Sequence, residues 1–338
     1  MRLGGSQPGK DNFEDRVNLV ERGVRGIDHA QQRSRAGGLV FAVVKKFGDD
    51  DGPALAASLT YFGFMSIFPL LLIVTTVVGF LGNARVENTV VGSALAQLPV
   101  FGEQLGRNVA HPLAGSWFAL AFGLVWLLYG AMGVAQSAQH AMAQIWNVPG
   151  VVRPGFGARL MRGFAFFVTI GVGAGLAAAF VGIGTATGHT WLTRVIVVLA
   201  DLFLNVALYL VAFRVLTPHV ATRDLVPGAI AAGIGYTILV ATGTALIQHQ
   251  LRHAEVVYGQ FAIVLGLISW LFLVSRLTLY ATEFNVVRSR HLWPRSIVQP
   301  PLTEADQRVL ADIVRQEERR PEQRVGVSFD PDVSRAEG

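Results

Sequence analysis

The chain has 338 residues, of which 52% are hydrophobic and only 15% charged, and its mean hydropathy is +0.45. A soluble chain is about one quarter charged, so this composition excludes a pair of ordinary soluble domains. The net charge of +5 and pI near 9.9 leave a polytopic membrane protein or a basic nucleic-acid binder, and the absence of Cys excludes disulfides, thiolate zinc, iron–sulfur clusters and thiol catalysis.

Residues 1–35 are polar, mixed in charge and poor in apolar anchors, which predicts a disordered N-terminus. No short apolar stretch leads to a small-residue cleavage site there, so no removable signal peptide is expected. Over 36–53, Leu39, Val40, Val43, Val44 and Phe47 recur at helical spacing beside Lys45 and Lys46. That pattern suits an amphipathic interfacial helix whose lysines reach anionic lipid. A short helix packed on the protein body fits it equally. The run Asp49-Asp50-Asp51-Gly52-Pro53 ends it.

Six stretches then reach the roughly 20 predominantly apolar residues that a bilayer crossing requires. They run Leu55–Leu81, Ser116–Ile145, Gly163–Thr187, Trp191–Leu216, Leu225–Ile247 and Tyr258–Phe284. Lipid cannot satisfy an open backbone, so each is helical. The expected fold is all-α: a six-transmembrane-helix bundle over 54–287, with the shorter amphipathic segment Asn88–Phe101 in the first outer loop. Arg153, Arg159, Arg162, Arg214, Arg223, Lys45, Lys46, Arg288, Arg290 and Arg295 lie on one side. Arg85, Arg107 and Arg252 lie on the other. By the positive-inside rule both termini are cytoplasmic. The positive charges flank spans and do not gather on one surface, so the pI speaks for a membrane and against nucleic acid.

Residues 288–338 form a polar tail. Pro294, Pro300 and Pro301 stop the last span, and Thr303 with Asp306 three residues on reads as an N-terminal cap pair. A short helix over about 303–320 is predicted from the stripe Val309, Leu310, Ile313 and Val314, with disorder beyond it.

Polar groups inside spans are the informative candidates, because a charge at mid-bilayer costs about 2.5–3.5 kcal/mol even on the mildest scale. Asp201 and Asn205 are one turn apart in the fourth span, as a substrate or ion site or as a structural clamp between helices. Arg276, Tyr280 and Glu283 lie in the last span, Arg276 and Glu283 on nearly the same face. They could meet a neighbouring helix, hold an anion, or snorkel to the headgroups. Gln136, Gln139 and His140 share a face of the second span, suited to interhelical bonds or to an aqueous wall. Ser58, Tyr61 and Ser66 precede Pro69, which removes a backbone bond and predicts a kink near mid-membrane. Gly171 and Gly175 form a GxxxG that predicts close packing.

Enzyme signatures are missing. His249 and His253 have i, i+4 spacing near Glu255, but no acid–base pattern follows, and they read as loop histidines. The sequence has no Walker loop, G-x-S-x-G or Rossmann glycine set, so neither a cofactor nor a metal is expected.

The segment Ala54-Leu-Ala-Ala-Ser-Leu-Thr-Tyr-Phe-Gly-Phe-Met-Ser-Ile-Phe-Pro-Leu-Leu-Leu72 resembles the opening span of the YihY/BrkB family of bacterial inner-membrane proteins. Thr217-Pro218, Arg223-Asp224 and Pro227-Gly228 resemble that family's "P…RD…PG" connection. Tyr258-Gly259, Trp270 and Tyr280-Ala-Thr-Glu283-Phe-Asn285 are similar to its closing "YG…W…GAEFN" span. The resemblance implies a six-span inner-membrane protein with cytoplasmic termini. Its members have carried virulence, serum-resistance and ribonuclease labels, and transport or export, including of lipids, is suspected. A ribonuclease needs clustered metal ligands, which this sequence lacks. Two functional expectations follow. One is transport of a lipid or anionic small molecule through a polar cavity. The other is a scaffold that docks envelope partners through its head and tail helices.

Overall fold

The computed structural model describes residues 26, 28, 31–81, 117–186, 191–258, 260–297, 299 and 302–330. The expectations for residues 1–25, for the outer-loop segment 88–101 and for the last eight residues lie outside them, as do the side chains of His249, His253 and Glu255. Among the described residues the regular elements are helices. They are α1 (Arg35–Asp49), α2 (Gly52–Leu81), α3 (Trp117–Ile145), α4 (Phe156–Ala186), α5 (Trp191–Leu216), α6 (Thr222–Tyr258), α7 (Gln260–Arg290) and α8 (Glu304–Arg315). A 3₁₀ turn at Gly150–Val152 precedes α4.

Five helices hold stretches long and apolar enough to cross a membrane: Leu120–Ile145, Phe156–Gly173, Val195–Leu216, Thr222–Gly243 and Val264–Arg290. Trp117, Phe122, Phe164, Phe203 and Leu273 point outward with large exposed apolar surfaces. That is the outer face of a bundle that packs by shape and small residues inside lipid.

The helices close on themselves. α2 packs on α3, α3 on α4, α4 on α5, α5 on α6 and α6 on α7, and α7 returns to α2. Where α2 meets α3, a Cβ on Gly130 would come within 3.1 Å of the Ser66 backbone, tighter than most side chains pack, so the glycine eases that approach. One end of the ring gathers the start of α2, the ends of α3 and α7, and both flanking helices α1 and α8. The buried core is concentrated there, with Ala42, Phe47, Ile145, Phe213, Leu225, Leu279, Val287 and Val309 in one cluster.

Helix ends at this junction obey local rules. Asn147 sits at φ 47° just past α3, with Val148 N–H donating to Ala143 O and Asn147 N–H to Gln144 O. That is a Schellman ending, with Asn in the left-handed position it tolerates. His291 ends α7 the same way. α8 opens with a reciprocal capping box between Thr303 and Asp306.

α1 corrects one expectation. The sequence reading sends Lys45 and Lys46 to anionic lipid, but both turn inward. Lys46 is fully buried, and Lys45 donates to Ser296 O at 2.6 Å and to Asp306 Oδ1 at 2.9 Å. Instead Val40 and Val44, 64% and 51% exposed, form the outer face. Its inward face carries Ala42, Val43 and Phe47 into the core, with Lys46 among them because buried carboxylates and the end of α3 meet its ammonium there.

Candidate functional site

The C-terminus of α3 carries carbonyls that have no partner within the helix, and the partial negative charge of the helix dipole. Two cations close on it. Lys46 Nζ donates to Ile145 O at 2.8 Å, and Arg290 donates to Trp146 O at 2.6 Å with its guanidinium 5.9 Å from the Trp146 ring. Lys46 also pairs with Asp50, one turn along, and lies 3.3 Å from Glu283 Oε2 of α7. All three side chains are fully buried. Burial pushes the Asp50 carboxyl up, against the pull of Lys46.

An outer layer surrounds this triad. Asn147 donates to Gln316 Oε1 at 3.3 Å, and Gln316 donates to Gln144 Oε1 at 2.5 Å. Arg290 pairs with Asp312 of α8 at 3.0 Å. Arg295 bridges Asp49 at 2.6 Å and Asp306 at 2.8 Å. Asp306 further accepts from Ser296 N–H and Oγ, Thr303 N–H and Oγ1, and Lys45. Burial alone would raise its carboxyl, but these donors outweigh it and hold the group far below the usual carboxylate range.

A third connection joins α6 to α7. Pro227 lies inside α6 and disrupts its backbone ladder. Asn285 of α7 reaches the helix beside it: its Oδ1 accepts from Gly228 N–H at 2.6 Å, and its Nδ2 donates to Leu225 O at 3.2 Å. A Cβ on Gly228 would overlap Ala281 O and the Asn285 amide, so the glycine allows the contact.

The sequence-derived candidates fall into several groups. Asn205 donates to Asp201 Oδ2 at 3.0 Å and to Thr237 Oγ1 at 3.3 Å, linking α5 to α6. Arg276 donates to Tyr280 Oη at 3.3 Å and lies 5.7–5.8 Å from the rings of Phe47, Phe272 and Tyr280. Tyr280 itself stacks on Phe47 with centroids 4.1 Å apart. Glu283, two turns from Arg276, takes its cation from α1 instead.

Ser58 and Ser137 share a 2.5 Å hydrogen bond between α2 and α3. Ser66 donates to Gly63 O within α2, Pro69 is half-buried in that same helix, and Tyr61 is 59% exposed beside Phe62. Gln139 donates to Arg159 O at 3.1 Å, while Gln136 and His140 are exposed. No hydrogen bond or ion pair joins Asp201 to Arg276 among the described residues.

Lys46, Asp50, Asn147, Asn285, Arg295 and Asp306 are absent from the sequence-derived candidates. The local signals among them are the i, i+4 spacing of Lys46 and Asp50 and the capping position of Asp306, which marked a helix start and not a site. Among the described residues no group of three or more His, Asp or Glu is placed to hold a metal.

The sequence profile of the family described as "Virulence factor BrkB" matches residues 43–301. No functionally curated protein and no solved structure matches the chain. The matched region opens beside Lys45 and Lys46 and extends through Asn285 and Arg295, so it contains most of the charged junction. By that match over most of its length, and by its several apolar helices, this chain is a multi-pass membrane protein belonging to the BrkB family.

Proposed function

We propose that the chain exports or transports an anionic small molecule or a lipid with an anionic headgroup, and is not an enzyme. The observation that carries this reading is Arg276. It lies within a membrane-spanning helix, half-buried, with no carboxylate partner among the described residues. Three aromatic faces and one phenol hold its guanidinium. Aromatic faces stabilise a cation without occupying its N–H edge, which stays available for a phosphate or carboxylate. An intramembrane charge is expensive unless used. The Asp201–Asn205–Thr237 cluster between α5 and α6 is a further polar group in the spans, and it contains a carboxylate.

The proposed topology has six spans in the bacterial inner membrane. α2, 30 residues long and apolar, is the sixth, joining the five above. The excess of Lys and Arg at the end bearing α1 and α8 favours cytoplasmic termini.

A scaffold role is the second reading, favoured by one observation. Val309 of α8 is buried and Ile313 packs on the core, but Leu310 and Val314 remain 37% and 39% exposed. That residual stripe could receive a partner.

Untargeted comparison of anionic metabolites and lipids tests the transport reading. Cells lacking the protein, complemented with wild type or with Arg276→Ala at equal membrane levels, are compared. The reading expects a species cleared by wild type and retained with Arg276→Ala. Identical profiles in both complemented strains would reject it. Loss of cross-linked partners on Leu310→Asp with an unchanged metabolite profile would favour the scaffold.

A further inference from the structure

The Lys46 site contains one cation and two carboxylates, all fully buried. Counted as ionised groups they sum to one uncompensated negative charge in a region without water contact. Asp50 Oδ1, Asn147 Oδ1 and Glu283 Oε1 accept no hydrogen bond, and Glu283 Oε2 has only the 3.3 Å ion pair with Lys46. Asp50 and Glu283 both close on the one Lys46 ammonium, Asp50 in a direct ion pair and Glu283 Oε2 at 3.3 Å, which brings the two carboxylates together. Two ionised carboxylates at that separation have no hydrogen to share, and they repel. Native interiors do not leave such groups unsatisfied.

We infer that Asp50 and Glu283 bind one proton between them, forming a proton site closed by Lys46 at the junction of α1, α2, α3 and α7. A proton on the pair makes a carboxyl–carboxylate hydrogen bond, satisfies two of the orphaned oxygens, and brings the triad to neutrality. A bound metal cation fits less well, because the Lys46 ammonium already holds the cation's place and would repel it. The proton enters from and returns to water, and no bond between heavy atoms changes.

The groups facing the pair from each packed element are few. α1 contributes Lys46, and α3 contributes only the neutral Ile145 carbonyl and Asn147. α7 contributes Glu283 itself. Arg290, on α7, is engaged by Asp312 and the Trp146 carbonyl. Lys45, Asp49, Arg295 and Asp306 balance one another in the outer layer.

The placement gives the proton a consequence. Lys46 and Asp50 belong to α1 and its turn, Glu283 to α7, so the site exists only while α1 is docked. Displacing α1 would separate the pair and release the proton. This site stands independently of the transport reading: a silent Arg276→Ala would leave it untouched.

Infrared difference spectroscopy of the purified full chain in lipid vesicles, at neutral pH and in sodium-free buffer, tests it. Wild type should show a protonated-carboxyl stretch that disappears in Glu283→Gln. It should also disappear in Asp50→Asn, because either variant leaves one carboxylate against one ammonium. Asp201→Asn should keep it. A carboxyl region unchanged in both folded variants would overturn the inference. So would a wild type that lacks the band and gains thermal stability on adding sodium, which would assign the missing charge to a metal ion. Glu283→Gln and Asp50→Asn report the same loss from different helices, so failure of one to fold leaves the other decisive.

Discussion

Lys46 Nζ and Glu283 Oε2 stand 3.3 Å apart, though 237 positions separate them in sequence, and neither side chain has any exposed surface. This pair fastens the helix before the first span to the last one. Removing one partner of a buried ion pair costs about 3–5 kcal/mol, because the other charge stays behind unpaired. Lys46→Met abandons two carboxylates and should therefore lower stability by about that amount. Glu283→Gln, which keeps shape and polarity, should cost much less. Thermal unfolding in detergent compares them, and equal losses would mean that packing rather than charge matters at this position.

Asn285 makes a second testable bridge. Asn285→Ala removes the two buried interhelical bonds to Gly228 N–H and the Leu225 carbonyl, each worth about 0.5–1.5 kcal/mol. Gly228→Ala should be comparably damaging through overlap with Ala281 O. Both should reduce the amount of folded protein in the membrane, measured by fluorescence-detected size exclusion. A wild-type profile for Asn285→Ala would show that α6 and α7 hold together without it.

Asp306 sets the acid limit of α8. Its carboxyl is depressed from an ordinary value of 3.8, so its contribution is full above that value and fades as pH falls toward the depressed folded value. α8 should resist pepsin at about pH 4 and become cleavable only well below that. Asp306→Asn weakens the ion pairs to Lys45 and Arg295, and should expose α8 to protease at neutral pH. Undocking of wild-type α8 between about pH 4 and 6 would contradict this assignment.

Five of the apolar helices were legible because lipid imposes a coarse rule of about 20 apolar residues per crossing. Thr303 and Asp306 were legible for the opposite reason, since a capping box is local. Lys46 misled because solvent-side lysine beside an apolar stripe is the commoner pattern. Its carboxylate on α7 and its carbonyl on α3 become neighbours only after the ring closes. Asp50 was hidden in a run of three aspartates that read only as the end of the first helix. Asn285 stood in a recognisable motif, but its partners Gly228 and Leu225 are on another helix. Asp201 and Asn205 were visible as a pair, while their partner Thr237 on α6 was not.

Binding of an anion by Arg276 within the bundle is the step on which the transport reading depends. Native mass spectrometry of protein released directly from membrane vesicles detects such a ligand whatever its identity. Wild type should carry a discrete anionic lipid or metabolite that is lost in folded Arg276→Ala and kept in folded Asp306→Asn. A wild type free of any specific adduct, or an adduct equally retained by Arg276→Ala, would refute the transport reading.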